Sequence, residues 1–179
     1  DLTVLLDASV AMPILCGLSF GHARSRYGAA AAALIKACKS HGIKLAVPKS
    51  YLNEMAFHGK KALDFQPVHE ALPDVARSSL TGSSNAYLSH YTHIAEIERE
   101  QGRQLSLLEF LSYFGIRNGA GLQKIENRIE SLLNDFGISI VRDGDYDVEI
   151  FKQIAHEKRY DSKILIEHDA RVCTYIREH

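Results

Sequence analysis

Leu2-Thr3-Val4-Leu5-Leu6 is a short apolar run that ends in a carboxylate, Asp7, and runs on into Ala8-Ser9-Val10-Ala11-Met12, which reads as the start of a helix. A strand of this kind is expected in the middle of a parallel sheet with both faces covered. The carboxyl ends of such strands form the edge where open α/β sheets bind ligands. Asp7 is therefore a candidate functional acid. It is equally a candidate N-cap for the helix behind it, and this stretch alone does not separate the two readings.

The rest of the chain repeats the alternation. Ala23 to Ser40 is alanine-rich and helical by propensity, and Gly42 stops it. Ile43 to Val47 alternates as a strand and closes at Pro48. Lys49 to Leu63 reads as a helix, with Pro48 or Ser50 at its start and Glu54 in its first or second turn. Leu122 to Asp135 places Leu122, Ile125, Ile129, Leu132 and Leu133 on one helical face. Ile138 to Val141 is a third strand, Asp143-Gly144-Asp145 a turn, Tyr146 to Lys158 a helix, and Ser162 to Glu178 the last helix. Ile164, Leu165, Ala170, Val172, Cys173 and Ile176 are the candidate core of that last helix. Strand–helix alternation predicts an α/β fold with a parallel sheet. Residues 64–120 break the rhythm: prolines at 67 and 73, a Ser/Gly loop from Ser78 to Asn85, helices over 87–101 and 105–114, and a loop from Gly115 to Gly121. The expected organisation is 1–63 and 121–179 as two parts of one domain, with 64–120 as a helical insertion, a lid or a partner surface. Gly17 to Gly21 is expected to be a loop.

The net charge of −1 argues against a generic polyanion binder, but the charge is uneven. Residues 1–63 carry eight Lys/Arg, among them Arg24, Arg26 and Lys49, against three acids. This basic first third is compatible with contact to a phosphate backbone, and equally with a solvated helix face. Cys16, Cys38 and Cys173 are widely spaced, with no CxxC and no zinc pattern, which suits small core residues in a reducing, cytoplasmic setting. The apolar stretch from Leu2 to Leu18 lacks a basic leader and contains Asp7 and Pro13, so neither a signal peptide nor a membrane span is expected. The first residue is Asp1 and the last helix runs to the end at His179, so a fragment of a longer parent protein is expected.

A third acid, Asp169, sits in Ile166-Glu167-His168-Asp169-Ala170 on an otherwise apolar helix, where a carboxylate needs a partner or a metal unless that face is wet. Together the three places resemble a PIN domain, a metal-dependent nuclease fold. Val4-Leu5-Leu6-Asp7-Ala8-Ser9 resembles its first strand and acid. Val47-Pro48-Lys49-Ser50-Tyr51-Leu52-Asn53-Glu54-Met55 resembles its second strand and the helix carrying a glutamate. Ile166 to Ala170 resembles the late helix with its Asp-Ala pair. The resemblance covers about two-thirds of the chain, and the insertion accounts for the long gap from Glu54 to Asp169. It departs from the family at its end. A further strand followed by a fourth acid is usual there, and the sequence stops at His179 before one.

The resemblance implies a three-layer α/β/α fold with a central parallel sheet, lacking its C-terminal strand. It implies an endonuclease that hydrolyses phosphodiester bonds of RNA, with Asp7, Glu54 and Asp169 as catalytic metal ligands for Mg²⁺ or Mn²⁺. Converging carboxylates repel one another and a hard cation relieves that repulsion; it also acidifies a bound water. Ser9, Lys49 and His168 are the candidate substrate contacts. The expected partners are RNA rather than DNA and other domains of the parent protein, with self-association left open and no membrane. The alternative is a PIN-like module without catalysis, serving RNA binding or protein interaction. A haloacid-dehalogenase-type phosphatase also begins with a strand and an Asp, but requires a second Asp where this chain has Ser9. Among lesser features, Asp143-Gly144-Asp145-Tyr146-Asp147 starts like a calcium loop but has Val148 and Ile154 where the later Gly and Glu belong, so it reads as a turn and helix cap. His90 and His93 could form a metal pair but read as surface histidines, and Asp161 as the cap of the last helix.

Overall fold

The computed structural model describes residues 2–20, 26–157 and 162–179. Arg24, Asp161 and the side chain of Arg26 lie outside these. The order is β1 (Thr3–Leu5), α1 (Ala8–Ser19), α2 (Arg26–Ser40), β2 (Lys44–Pro48), α3 (Lys49–Asp64), α4 (Gln66–Ala71), α5 (Asp74–Ser78), a 3₁₀ turn (Ser79–Gly82), α6 (Ala86–Glu100), α7 (Leu107–Tyr113), α8 (Leu122–Asp135), β3 (Ile138–Val141), α9 (Val148–Glu157) and α10 (Lys163–Glu178). The chain is mostly helical around a small, wholly parallel sheet of order β1-β2-β3, an α/β arrangement.

β1 is not the middle strand that its apolar run suggests. It is an edge strand of the sheet, and Thr3 and Val4 are exposed. The middle place belongs to β2, whose Leu45, Ala46, Val47 and Pro48 are buried. An apolar run signals burial on both faces only when neighbours flank the strand, and that is a tertiary condition. Thr3 pairs with Lys44 and Leu5 with Ala46, while Leu45 pairs with Ile138 and Pro48 with Val141. Because every strand runs the same way, Asp7, Lys49 and Asp143 all follow strand ends at one edge.

α1 runs on to Ser19, so Gly17 is a helical residue and not a loop. A Cβ on Gly17 would lie 3.1 Å from the backbone of Tyr27, so glycine lets α1 pack directly on α2. The helices of 64–120 pack onto the rest of the chain. Tyr87, Phe110, Phe114 and Ile116 are fully buried in the same core cluster as Leu15, Leu52 and Met55. Aromatic stacking continues this core, with Phe20 and Phe110 centroids 4.8 Å apart. α8 buries Ile125, Ile129, Leu132 and Leu133. α10 corrects the expected core: Ile166, Ala170 and Val172 are buried, but Ile164, Cys173 and Ile176 are exposed. Among the cysteines only Cys16 is buried, and burial pushes its thiol pKa up. No described helix is long and apolar enough to cross a membrane.

Candidate functional site at the carboxyl edge of the sheet

Asp7 leaves the end of β1 in extended backbone, and its Oδ1 accepts a 2.7 Å hydrogen bond from the Ser9 amide. Asp7 is thus the N-cap of α1. Ser9 contacts it through the backbone, which is the contact a cap requires. The side chain of Asp7 is nonetheless exposed at the sheet edge.

α3 begins at the same edge and presents two faces. Tyr51, Glu54 and His58 follow helical spacing on one of them. The Tyr51 hydroxyl donates to Asp169 Oδ1 at 2.7 Å, which joins α3 to α10 across the chain. Burial raises the Tyr51 phenol pKa most; the hydrogen bond to Asp169 and the negative charges of Asp169, Asp7 and Cys173 raise it further. Asp7 and Asp169 therefore act on one hydroxyl, although they lie near opposite ends of the sequence. Glu54, one turn beyond Tyr51, lies between two imidazoles. His58 Nε2 is 3.8 Å from its Oε1, and His168 Nδ1 is 3.8 Å from its Oε2. Both separations exceed a hydrogen bond. The Nδ1 atoms of His58 and His168 are buried without a hydrogen-bond partner among the described residues. Burial lowers the His58 pKa, while Glu54 raises it and Lys61 lowers it.

The other face of α3 is structural. Lys49 Nζ lies 2.9 Å from Glu126 and 3.8 Å from Glu130, and Asn53 Nδ2 donates to Glu126 at 2.7 Å. These pairs set α8 antiparallel to α3 and satisfy Glu126, a buried carboxylate. Of the three candidate substrate contacts, Lys49 is thus held in an ion pair, His168 stands beside Glu54, and Ser9 lies at the cap.

Asp143 and Tyr51 join the site without having been candidates for it. Asp143 follows β3 and accepts hydrogen bonds from the Ser50 amide, at 3.1 Å, and from the Ser50 hydroxyl. It ties β3 to the first turn of α3, where a carboxylate also complements the helix dipole. The rule that selects Asp7, an acid just past an apolar strand, selects Asp143 too. The cap expected in that turn is Asp147, which accepts from the amides of Glu149 and Ile150. His90 is not a surface histidine. It is buried, its ring stands 5.0 Å from that of Tyr27, and burial and then His93 lower its pKa to about 4.

The oxygen donors of Asp7, Glu54 and Asp169 suit Mg²⁺ or Mn²⁺ chemically. As they stand, no group of three or more His, Cys, Asp or Glu among the described residues is arranged to hold a metal ion. Comparisons with protein-family models, curated proteins and solved structures give no match for this chain.

Proposed function

We propose that the chain is a metal-dependent endonuclease of PIN type acting on RNA. The observation that carries this reading is the Tyr51–Asp169 hydrogen bond beside the carboxyl edge of a parallel sheet, where Asp7 also follows a strand, with Glu54 one turn along the same helix as Tyr51. That edge is where ligand sites of open α/β sheets form. Asp7, Glu54 and Asp169 would hold Mg²⁺ or Mn²⁺, and the ion would supply charge relief and a more acidic water. Tyr51 orients Asp169, and the Asp7 carboxylate is fixed by the first turn of α1. The fold in this reading is the three-layer PIN arrangement, and the setting is cytoplasmic, within a larger parent protein.

A second reading, a PIN-like module for RNA or protein binding without catalysis, is favoured by a specific observation. One oxygen of Asp169 is bonded to Tyr51, one of Asp7 is used as a helix cap, and no described acidic group is arranged to hold a metal. Calorimetric titration with Mn²⁺ of the wild type and of Asp7→Asn separates the two. Binding that is lost in the variant, together with Mn²⁺-dependent cleavage of RNA, supports the nuclease. A wild type that neither binds Mn²⁺ nor cleaves RNA sinks it and leaves the binding module.

A further inference from the structure

The Gly115–Gly121 loop borders a second feature with its own chemistry. A cleft of about 740 Å³ is lined by Phe20 at the end of α1 and by Tyr113, Arg117, Asn118, Lys124 and Arg128 from α7, the loop and α8. Among the described residues, three cations line it against one acid, Glu109. The Glu109 carboxylate is already engaged, since its Oε2 accepts from the Ser106 amide and hydroxyl at 2.8 and 2.7 Å. Arg117 and Lys124 are exposed and make no ion pair among the described residues. A local surplus of positive charge thus stands on a chain whose net charge is −1.

Arg128 is built in. Its Nε donates to the Tyr113 carbonyl at 3.1 Å, and its guanidinium lies 5.4 Å from the centre of the Tyr113 ring. Gly115 has φ of 76°, and a Cβ there would come within 3.0 Å of the Arg128 Cβ, so glycine both turns the loop and admits Arg128. Four of the five N–H donors of the guanidinium remain beyond the one given to Tyr113. The result is a guanidinium held against an aromatic ring, beside two cations that make no ion pair among the described residues.

We infer that this cleft binds single-stranded nucleic acid, with a base against the Tyr113–Arg128 pair and backbone phosphates at Arg117 and Lys124. A cation satisfied by a phosphate oxygen supplies affinity. Flat aromatic and guanidinium surfaces are what unpaired bases stack on. The volume lies in the range of sites for nucleotide-sized ligands. This inference shares only its class of ligand with the nuclease reading, because none of its residues belongs to the acidic edge.

The test is fluorescence anisotropy with a short labelled oligouridylate, on the wild type, the double variant Arg117→Glu/Lys124→Glu, Tyr113→Leu and Asp7→Asn. The double variant is expected to bind at least about tenfold more weakly, with a shallower dependence on salt. Tyr113→Leu is expected to weaken oligonucleotide binding while leaving competition by inorganic pyrophosphate unchanged. Introduced on top of Asp7→Asn, the double variant is expected to weaken binding by the same factor as it does in the wild type, which separates the cleft from the acidic edge. Thermal melts confirm that each variant is folded. Absence of oligouridylate binding by the wild type, or unchanged affinity and salt dependence in the folded double variant, overturns the inference. So does Tyr113→Leu binding as tightly as wild type while pyrophosphate displaces the oligonucleotide, which marks a phosphate site without base recognition.

Discussion

The Tyr51 hydroxyl and the Asp169 carboxylate, 118 residues apart in sequence, meet at 2.7 Å and bind the helix that leaves the central strand to the last helix of the chain. Tyr51 is 8% exposed, so its hydroxyl would otherwise be buried without a partner. A hydrogen bond to a charged group in such a place is worth about 1.5–3 kcal/mol.

Tyr51→Phe is therefore expected to lower stability by that amount, and Tm by about 3–12 °C for a chain of this size. The stronger check is a double-mutant cycle with Asp169→Asn, read by urea denaturation. The two substitutions should be coupled by more than about 0.5 kcal/mol. Strict additivity would show that the contact does not hold in solution.

Lys49 leads to an expectation that runs against the substrate-contact reading. Its ammonium neutralises Glu126, a buried carboxylate on α8, and Asn53 supplies the remaining hydrogen bond. Lys49→Met leaves that charge without its ion pair. Loss of one partner of a fully buried pair costs about 3–5 kcal/mol; Lys49 is 35% exposed, so about 1–3 kcal/mol is expected after solvent screening. Glu126→Gln in the same background should restore part of the loss, since Asn53 can still donate to it. A Lys49→Met protein that melts as the wild type does, yet binds RNA less well, would return Lys49 to the substrate.

Stability should fall on the acid side of neutrality. Burial and His93 lower the His90 pKa from 6.5 to about 4, and burial also lowers His58 and His69. Between those limits the unfolded chain takes up a proton at His90 that the folded chain refuses. The stabilisation is complete above about pH 6.5 and is lost progressively as the pH falls toward 4. At His90, 7% exposed, the whole effect is about 1–3 kcal/mol. The Tm of the wild type should drop between about pH 7 and pH 4.5, and His90→Gln should flatten that part of the profile. An equally steep profile in the variant would assign the acid lability to other groups.

Local rules made several elements legible. The 3.6-residue apolar period of Leu122 to Asp135 and the apolar run Ile138 to Val141 match α8 and β3 residue for residue, because each buries one stripe or face that the sequence itself writes. Asp7 was legible as an acid past a strand, and both of its expected roles rest on that one position. Asp143 obeys the same rule, but Gly144 and Asp145 beside it also carry the composition of a plain turn.

What the sequence by itself determined is therefore local: most of the longer helices and the three strands, that the strands run parallel, and which acids stand near strand ends. Tertiary structure alone decided which strand is flanked on both sides, so that β2 and not β1 is central. It also joined Tyr51 to Asp169, Ser50 to Asp143 and Lys49 to Glu126. These partners are far apart in the chain, and nothing in the period or propensity of either segment specifies the other. The direct packing of α3 against α8 and of α10 against α3 brings such partners together.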